Sequence, residues 1–169
     1  PRSTPKPSSA ASDVYKRQAS RRGYSGTPLV FGNHLICQVG SENNAGVVCF
    51  DKYNGKVIWK SSNDLASYAS PIMAEIAGKK QFITLTTERL IGIDIRNGNM
   101  LWSEPMPTRA YRNVLTPVAT GNSIIVASQS EGMICVSGRG KNGEAIKSIS
   151  INAREDMSKF LSKKNLQNN

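Results

Sequence analysis

Few residues in this chain are of the types that carry out chemistry. A single histidine, His34, leaves too few groups for most metal sites and acid–base pairs. The cysteines lack C-x-x-C spacing, so neither a zinc site nor a disulfide framework is indicated. Cys37 and Cys49 could pair across a hairpin, although we favour buried thiols. No loop is dense enough in Asp, Asn and Glu to supply the oxygen ligands of calcium. We therefore predict no catalytic or metal-ligating residue and lean towards a non-catalytic function.

An aspartate, an Asn-Gly pair and a tryptophan recur at one fixed offset, in CFDKYNGKVIW (49–59) and GIDIRNGNMLW (92–102). Asn-Gly is the strongest short signal for a β-hairpin, because a type I′ turn needs positive φ at both central residues. The aspartate can accept backbone N–H bonds and close the turn. The tryptophan falls in the next strand, where its ring can pack between neighbouring sheets. We therefore interpret six residues as structural: Asp51, Gly55, Trp59, Asp94, Gly98 and Trp102.

The same period extends over most of the chain. Pro28, Pro71 and Pro117 each follow Ser or Thr and begin an apolar run, at spacings of 43 and 46 residues. Each unit contains four short runs rich in Val and Ile and bounded by Gly and Asn, which is typical of strands. Four strands in about 40–45 residues match a β-propeller blade. An immunoglobulin-like sandwich is the alternative, but it does not explain a Trp and an Asn-Gly turn that repeat in step. We predict an all-β partial β-propeller, an open arc of three four-stranded antiparallel blades at about 24–62, 67–105 and 111–151.

The two segments resemble the pyrroloquinoline-quinone (PQQ)-type repeat, whose tryptophan-docking consensus is A-x-D-x-x-x-G-x-x-x-W. Small residues replace the consensus alanine in all three units: Cys49, Gly92 and Cys135. The third unit, CVSGRGKNGEAIK, keeps Gly143 but lacks the aspartate and has Lys147 where the tryptophan would be. The resemblance implies a propeller of the family that includes quinoprotein dehydrogenases, the outer-membrane assembly factor BamB and its relatives, and exported bacterial propellers.

Two functions follow from this resemblance. The first is a non-catalytic binding or scaffold module of an exported, periplasmic bacterial protein. The second is a fragment of a PQQ-dependent quinoprotein oxidoreductase whose active site lies in missing blades, with PQQ and calcium as cofactors. The resemblance implies that such enzymes use an adjacent-cysteine disulfide, a stacked Trp and a catalytic Asp. This chain has no Cys-Cys pair, and Asp51 and Asp94 belong to turns. We favour the binding module and expect no cofactor.

The loops before each Ser/Thr-Pro pair contain the candidate recognition residues. In a propeller these loops converge on the mouth of the central channel, and aromatic and arginine side chains on loops are typical of binding sites. We predict that they bind a protein or a small polar ligand. The alternative is that each tyrosine packs on the neighbouring blade. The candidates are Tyr24, Tyr68, Arg109, Tyr111, Arg112 and Asn113.

The net charge of +10 is unevenly distributed. Residues 1–22 contain six basic residues and one acidic residue, whereas residues 23–153 contain twelve basic and nine acidic ones. No Lys/Arg cluster marks a phosphate-binding face, so we expect no nucleic acid as a partner. No apolar run reaches the roughly 18 residues of a membrane span.

The two ends differ in composition from the repeats. Residues 1–22 are rich in Pro, Ser and basic residues, and SSAASDVYKRQ resembles a translated sequencing adapter, so we interpret them as a non-native or disordered segment. Residues 23–153 form the predicted propeller region. We interpret residues 154–169 as a truncated linker to a further blade. The missing blades of the same chain are then expected to cover the two ends of the arc.

Overall fold

The computed structural model describes residues 26–41, 43–107, 113–128, 132–138 and 145–151. This part of the chain contains twelve β-strands and no helix. In chain order, β1 to β12 are Leu29–Phe31, His34–Ser41, Ala45–Asp51, Val57–Ser61, Ile72–Ile76, Lys79–Leu85, Arg89–Asp94, Met100–Pro105, Val118–Thr120, Ser123–Ser128, Gly132–Gly138 and Ala145–Ile151.

The strands form three separate four-stranded sheets, each an antiparallel meander in which consecutive strands pair. We call them blade 1 (β1–β4), blade 2 (β5–β8) and blade 3 (β9–β12). They do not close into a ring. The predicted all-β fold class and the partial β-propeller of three four-stranded antiparallel blades are therefore confirmed.

Blade 2 lies between the other two blades and is buried on both faces. Phe82, Ile91 and Ile93 belong to a core shared with blade 1, whereas Ile83 and Leu90 belong to a core shared with blade 3. Successive side chains of a strand point to opposite faces, so neighbouring residues contribute to different cores. This explains why β6 and β7 have continuous runs of buried residues rather than an alternation of buried and exposed ones.

The β3–β4 and β7–β8 turns differ from the two-residue type I′ turns predicted at Asn-Gly. Gly55 and Gly98 have positive φ values, 71° and 77°, but the asparagines before them do not. Asp51 explains the difference in the first turn. Its Oδ1 accepts the backbone N–H groups of Tyr53 at 2.9 Å and Asn54 at 3.1 Å. Gly55 N then donates to Asp51 O at 2.8 Å. The type I′ prediction is wrong, since this Asx turn makes the loop longer.

Asp94 closes the second turn from a buried position. Its Oδ1 accepts the backbone N–H of Arg96 at 3.0 Å, and its Oδ2 accepts the Nη2–H of the same arginine at 3.0 Å. The side-chain hydrogen bond from Arg96 is the main reason that the pKa of Asp94 is below its usual value, although burial acts in the opposite direction. The ionised carboxylate is therefore the form that the folded turn stabilises.

We expect this carboxylate to make the protein sensitive to acid. A lowered pKa in the folded state contributes stability that is complete above the unfolded-state value of 3.8 and is lost as the pH falls through the folded-state pKa. Arg96→Gln removes the main cause, so the free energy of unfolding should fall less steeply below pH 3.8 than in the parent protein. Urea unfolding at a series of pH values measures this slope. Lys56→Gln, at an exposed lysine of the β3–β4 turn, is the control; identical slopes for Arg96→Gln and the parent would contradict the prediction.

Candidate binding surface at the sheet linkers

Trp59 joins blade 1 to the β7–β8 turn of blade 2. The indole is buried, and its Nε1 donates to the backbone oxygen of Ile95 at 3.3 Å. The ring covers Gly98 so closely that a Cβ atom there would lie 2.7 Å from Trp59 Cε3. The glycine of one repeat is thus the docking position for the tryptophan of the preceding repeat.

Trp102 occupies the equivalent position in blade 2 and packs towards blade 3. Its Nε1 donates to Gln81 Oε1 at 2.7 Å. The ring also lies on Gly92, where a Cβ atom would strike the Trp102 indole. In blade 1 the corresponding pair is Cys49 and Trp59. The residue opposite the tryptophan, Cys49 in blade 1 and Gly92 in blade 2, must therefore be small, because the indole of the same blade lies over it.

The linkers between blades meet the β6–β7 turn at one edge of blade 2. Thr87 N donates to Leu65 O at 3.2 Å, and Tyr68 N donates to Asn113 O at 3.0 Å. We call this surface the linker rim and define it as residues 62–71, 86–88, 106–107 and 113–117. These backbone hydrogen bonds, one between a linker and the turn and one between the two linkers, hold the linkers in place at this edge.

Asn113, one of the predicted recognition residues, has a structural position in the linker rim. It is only 2% exposed, and its Nδ2 donates to the backbone oxygens of Thr86 at 2.8 Å and Met106 at 3.1 Å. Its side chain ties the linker of blade 3 to blade 2 and is not an exposed recognition group. Tyr68 is half-buried in the same rim. The other four candidates, Tyr24, Arg109, Tyr111 and Arg112, lie outside the described residues.

Three exposed apolar residues of the linker rim were not among the predicted site residues. Leu65 is 43% exposed, Val114 60% and Leu115 52%. The bonds from Thr87 to Leu65 and from Tyr68 to Asn113 bring them to the same edge of the arc. A signal was present in the sequence, since Val114 and Leu115 are apolar residues in a linker rather than in a strand. Apolar side chains that are exposed together mark contact surfaces.

A family model described as outer membrane protein assembly factor BamB matches residues 10–163. The chain belongs to this family. No curated protein matches it in sequence. The resemblance to PQQ-type, BamB-like repeats is therefore confirmed, and the three sheets are blades of a β-propeller module of the BamB family.

The cysteines of this BamB-family chain are free thiols. Cys37 pairs with Val48 and Cys49 with Ile36, so the two cysteines are one position out of register and face opposite sides of the sheet. Burial raises the pKa of the Cys37 thiol. It also raises that of Cys49 to about 11, with a smaller effect from Cys37. Both thiols are protonated at neutral pH and are poor nucleophiles.

Metal sites, ion pairs and membrane-spanning helices also bear on what the described residues of this BamB-family module can do. Among them, no group of three or more His, Cys, Asp and Glu residues could hold a metal ion. Their two ion pairs join Arg89 to Asp64 and Arg96 to Asp94. None of the described residues forms a helix long and apolar enough to cross a membrane. The arrangement offers surfaces for binding at the linkers and between the blades.

We expect Gly98→Ala to destabilise the protein more than Gly55→Ala does. Both glycines have positive φ, where an L-residue costs about 1–2 kcal/mol. A Cβ at Gly55 meets nothing within 4 Å, whereas one at Gly98 strikes the Trp59 ring. The clash should add about 1–3 kcal/mol, as overpacking does. Urea unfolding of the two matched variants measures the difference, and equal losses would show that the ring does not depend on this glycine.

We expect Asn113→Ala to lower the free energy of unfolding by about 1–3 kcal/mol, because buried carbonyl groups lose their donor. Asn33→Ala, in the exposed β1–β2 turn, is the matched control and should change stability by less than about 0.5 kcal/mol. Chemical denaturation of both variants tests this. A loss at Asn113 no larger than that at Asn33 would mean that the amide is not what holds the linker to blade 2.

Proposed function

We propose that this chain is a non-catalytic binding or scaffold module that recognises a protein partner through its linker rim. The observation that carries the proposal is the exposure of Leu65, Val114 and Leu115 on one edge of a folded module. The family description, outer membrane protein assembly factor, supports a partner that is itself a protein. It also supports action outside the cytoplasm, so we propose that the protein is exported to the periplasm.

The anchoring of the linker rim favours recognition by a protein. Thr87 and Tyr68 fix the two linkers through backbone bonds, and Asn113 adds buried side-chain bonds. Exposed apolar residues on a rigid backbone lose little conformational entropy on binding, which favours affinity. The second linker also contains Arg109, Tyr111 and Arg112. A partner segment that combines apolar with acidic residues would therefore complement this linker.

We propose that the described residues of the module bind neither PQQ nor calcium. The carboxylates of Asp51 and Asp94 accept hydrogen bonds within their own turns. The indoles of Trp59 and Trp102 are buried and donate to Ile95 and Gln81. These groups are engaged in architecture, which leaves the repeated motif without a carboxylate or a ring for a cofactor.

Site-specific photocross-linking tests the linker rim as a partner-binding surface. A photoreactive phenylalanine analogue at Leu115 should give a defined cross-linked protein when the chain is expressed in the periplasm of a Gram-negative host. The same analogue at Val57, an equally exposed apolar residue on the outer strand of blade 1, is the matched control and should not give that product. Val114→Asp should abolish the Leu115 product without unfolding the protein, because the side chain is exposed. The same product from both positions, or none from Leu115, would contradict the proposal.

A further inference from the structure

A groove of about 310 Å³ lies between the outer strands of blades 1 and 2. One wall is formed by the end of β4 and the residues after it, including Lys60 and Ser61, and the other by Arg89 and the β7–β8 turn. We call it the inter-blade groove. Its volume lies at the lower end of the range for small-ligand sites. It is separate from the apolar residues of the linker rim.

The cations of the inter-blade groove, at the interface of blades 1 and 2, are absent from the interface of blades 2 and 3. With Trp59 aligned to Trp102, Lys60 corresponds to Ser103 and Ser61 to Glu104. When Gly92 of blade 2 is aligned with Cys135 of blade 3, Arg89 corresponds to Gly132. The second interface therefore lacks both cations and has an acid in place of the serine. Blades 2 and 3 also pack together without these residues, so the repeat architecture itself does not require the cations of the first interface.

The charge in the inter-blade groove is not fully compensated. Arg89 is paired with Asp64, with Nε–Oδ2 and Nη2–Oδ1 distances of 2.9 and 2.8 Å. Among the described residues, no carboxylate pairs with Lys60, and the residues that line the groove include no acid. The groove thus has a net charge of one positive unit.

Several hydrogen-bond donors in the inter-blade groove have no protein partner among the described residues, and the side chains of Asn97 and Asn99 are exposed to solvent. Asn97 Oδ1 accepts the backbone N–H of Asn99 at 3.0 Å, so this oxygen is already engaged. The Nδ2 group of Asn97 has no partner among the described residues. The Asn99 side chain and the Ser61 hydroxyl likewise have none there. Ammonium, amide and hydroxyl donors around one positive charge match a group that only accepts hydrogen bonds.

Left-handed backbone conformations also occur in the lining of the inter-blade groove. Only four described residues other than glycine have positive φ, and Ser62 and Asn44, which line the groove, are two of them, at 66° and 57°. A third, Asn43, is adjacent in sequence. Asn43 and Asn44 form the turn between β2 and β3, where asparagine adopts this conformation readily, so Ser62 is the one position in the groove where the backbone conformation is costly.

We propose that the inter-blade groove binds a small carboxylate-bearing ligand, with Lys60 as the charge partner and Asn97 and Asn99 as amide donors. A carboxylate carries one charge, which equals the uncompensated charge of the groove, and its oxygens are acceptors only. A phosphate dianion would leave one negative charge unpaired. The carboxylate can belong to a free small acid or to the C-terminus of a peptide, and both present the same group.

Titrations of the complete 169-residue chain, followed by ¹H–¹⁵N correlation spectra, test this site. Glutarate and an N-acetylated dialanine with a free C-terminus represent the two sources, and the C-terminal amide of the same peptide is the negative probe. Saturable shifts of the Asn97 and Asn99 side-chain amides and of Gly98 NH are expected with the source that binds. No saturable shift with either carboxylate, or equal shifts with the peptide amide, would overturn the proposal. Tighter binding of inorganic phosphate at the same resonances would also overturn the carboxylate assignment.

Matched charge variants locate the binding in the groove. Lys60→Gln should weaken binding by about tenfold or more, because a hydrogen bond to a charged group contributes about 1.5–3 kcal/mol. Lys56→Gln removes the same charge from an exposed turn that does not line the groove and should leave the dissociation constant unchanged. Equal weakening by the two substitutions would show a general charge effect and contradict a site at Lys60. The spectrum of each unliganded variant shows whether it has kept the fold.

Discussion

The contact of the Trp59 ring with Gly98 is the constraint on which the arc of blades depends. It unites three requirements: a buried indole on β4, a glycine with positive φ at the next blade's turn, and an aspartate that shapes that turn. An ordinary side chain at Gly98 would remove the space for the ring, and without the ring the first inter-blade core would lose its largest side chain. Because blade 1 supplies the ring and blade 2 supplies the turn that receives it, stability is shared between these neighbouring blades rather than held within one sheet.

A polar network complements this apolar contact at the inner side of the first interface. Gln38 of blade 1 donates to Ala69 O at 3.1 Å and accepts the N–H of Ser67 at 3.1 Å, and its Nε2 also bonds Thr84 of blade 2. Ser67 in turn donates to Leu85 O at 2.5 Å. Apolar packing is tolerant of small sliding movements, whereas buried hydrogen bonds have fixed partners and directions. The network therefore sets the position of the linker between blades 1 and 2, and with it the linker rim.

The two proposed binding surfaces, the linker rim and the inter-blade groove, both lie outside the repeated core. The rim uses linker residues whose backbone bonds hold them in place while Leu65, Val114 and Leu115 remain exposed. The groove uses positions beside the docked tryptophan where the first interface has Lys60 and Arg89 and the second has Ser103 and Gly132. In both places the proposed binding residues are ones that differ between repeats, because the repeated residues are already engaged in docking.

The sequence by itself determined the fold class, the number of blades and the family, because Asp51, Gly55, Trp59 and their counterparts recur at an offset that one hairpin geometry imposes. It also indicated correctly that the aspartates accept backbone N–H groups in the turns. It did not determine the turn type, since the Asx turn at Asp51 competes with the type I′ turn that Asn-Gly favours. The position of Asn113 was likewise decided only by tertiary structure: its neighbours in sequence are arginines and a tyrosine, but its hydrogen-bond partners are the Thr86 and Met106 carbonyls. Local patterns repeat along the chain and can be read from it, whereas the burial of one amide and the lining of one groove depend on which distant segments meet.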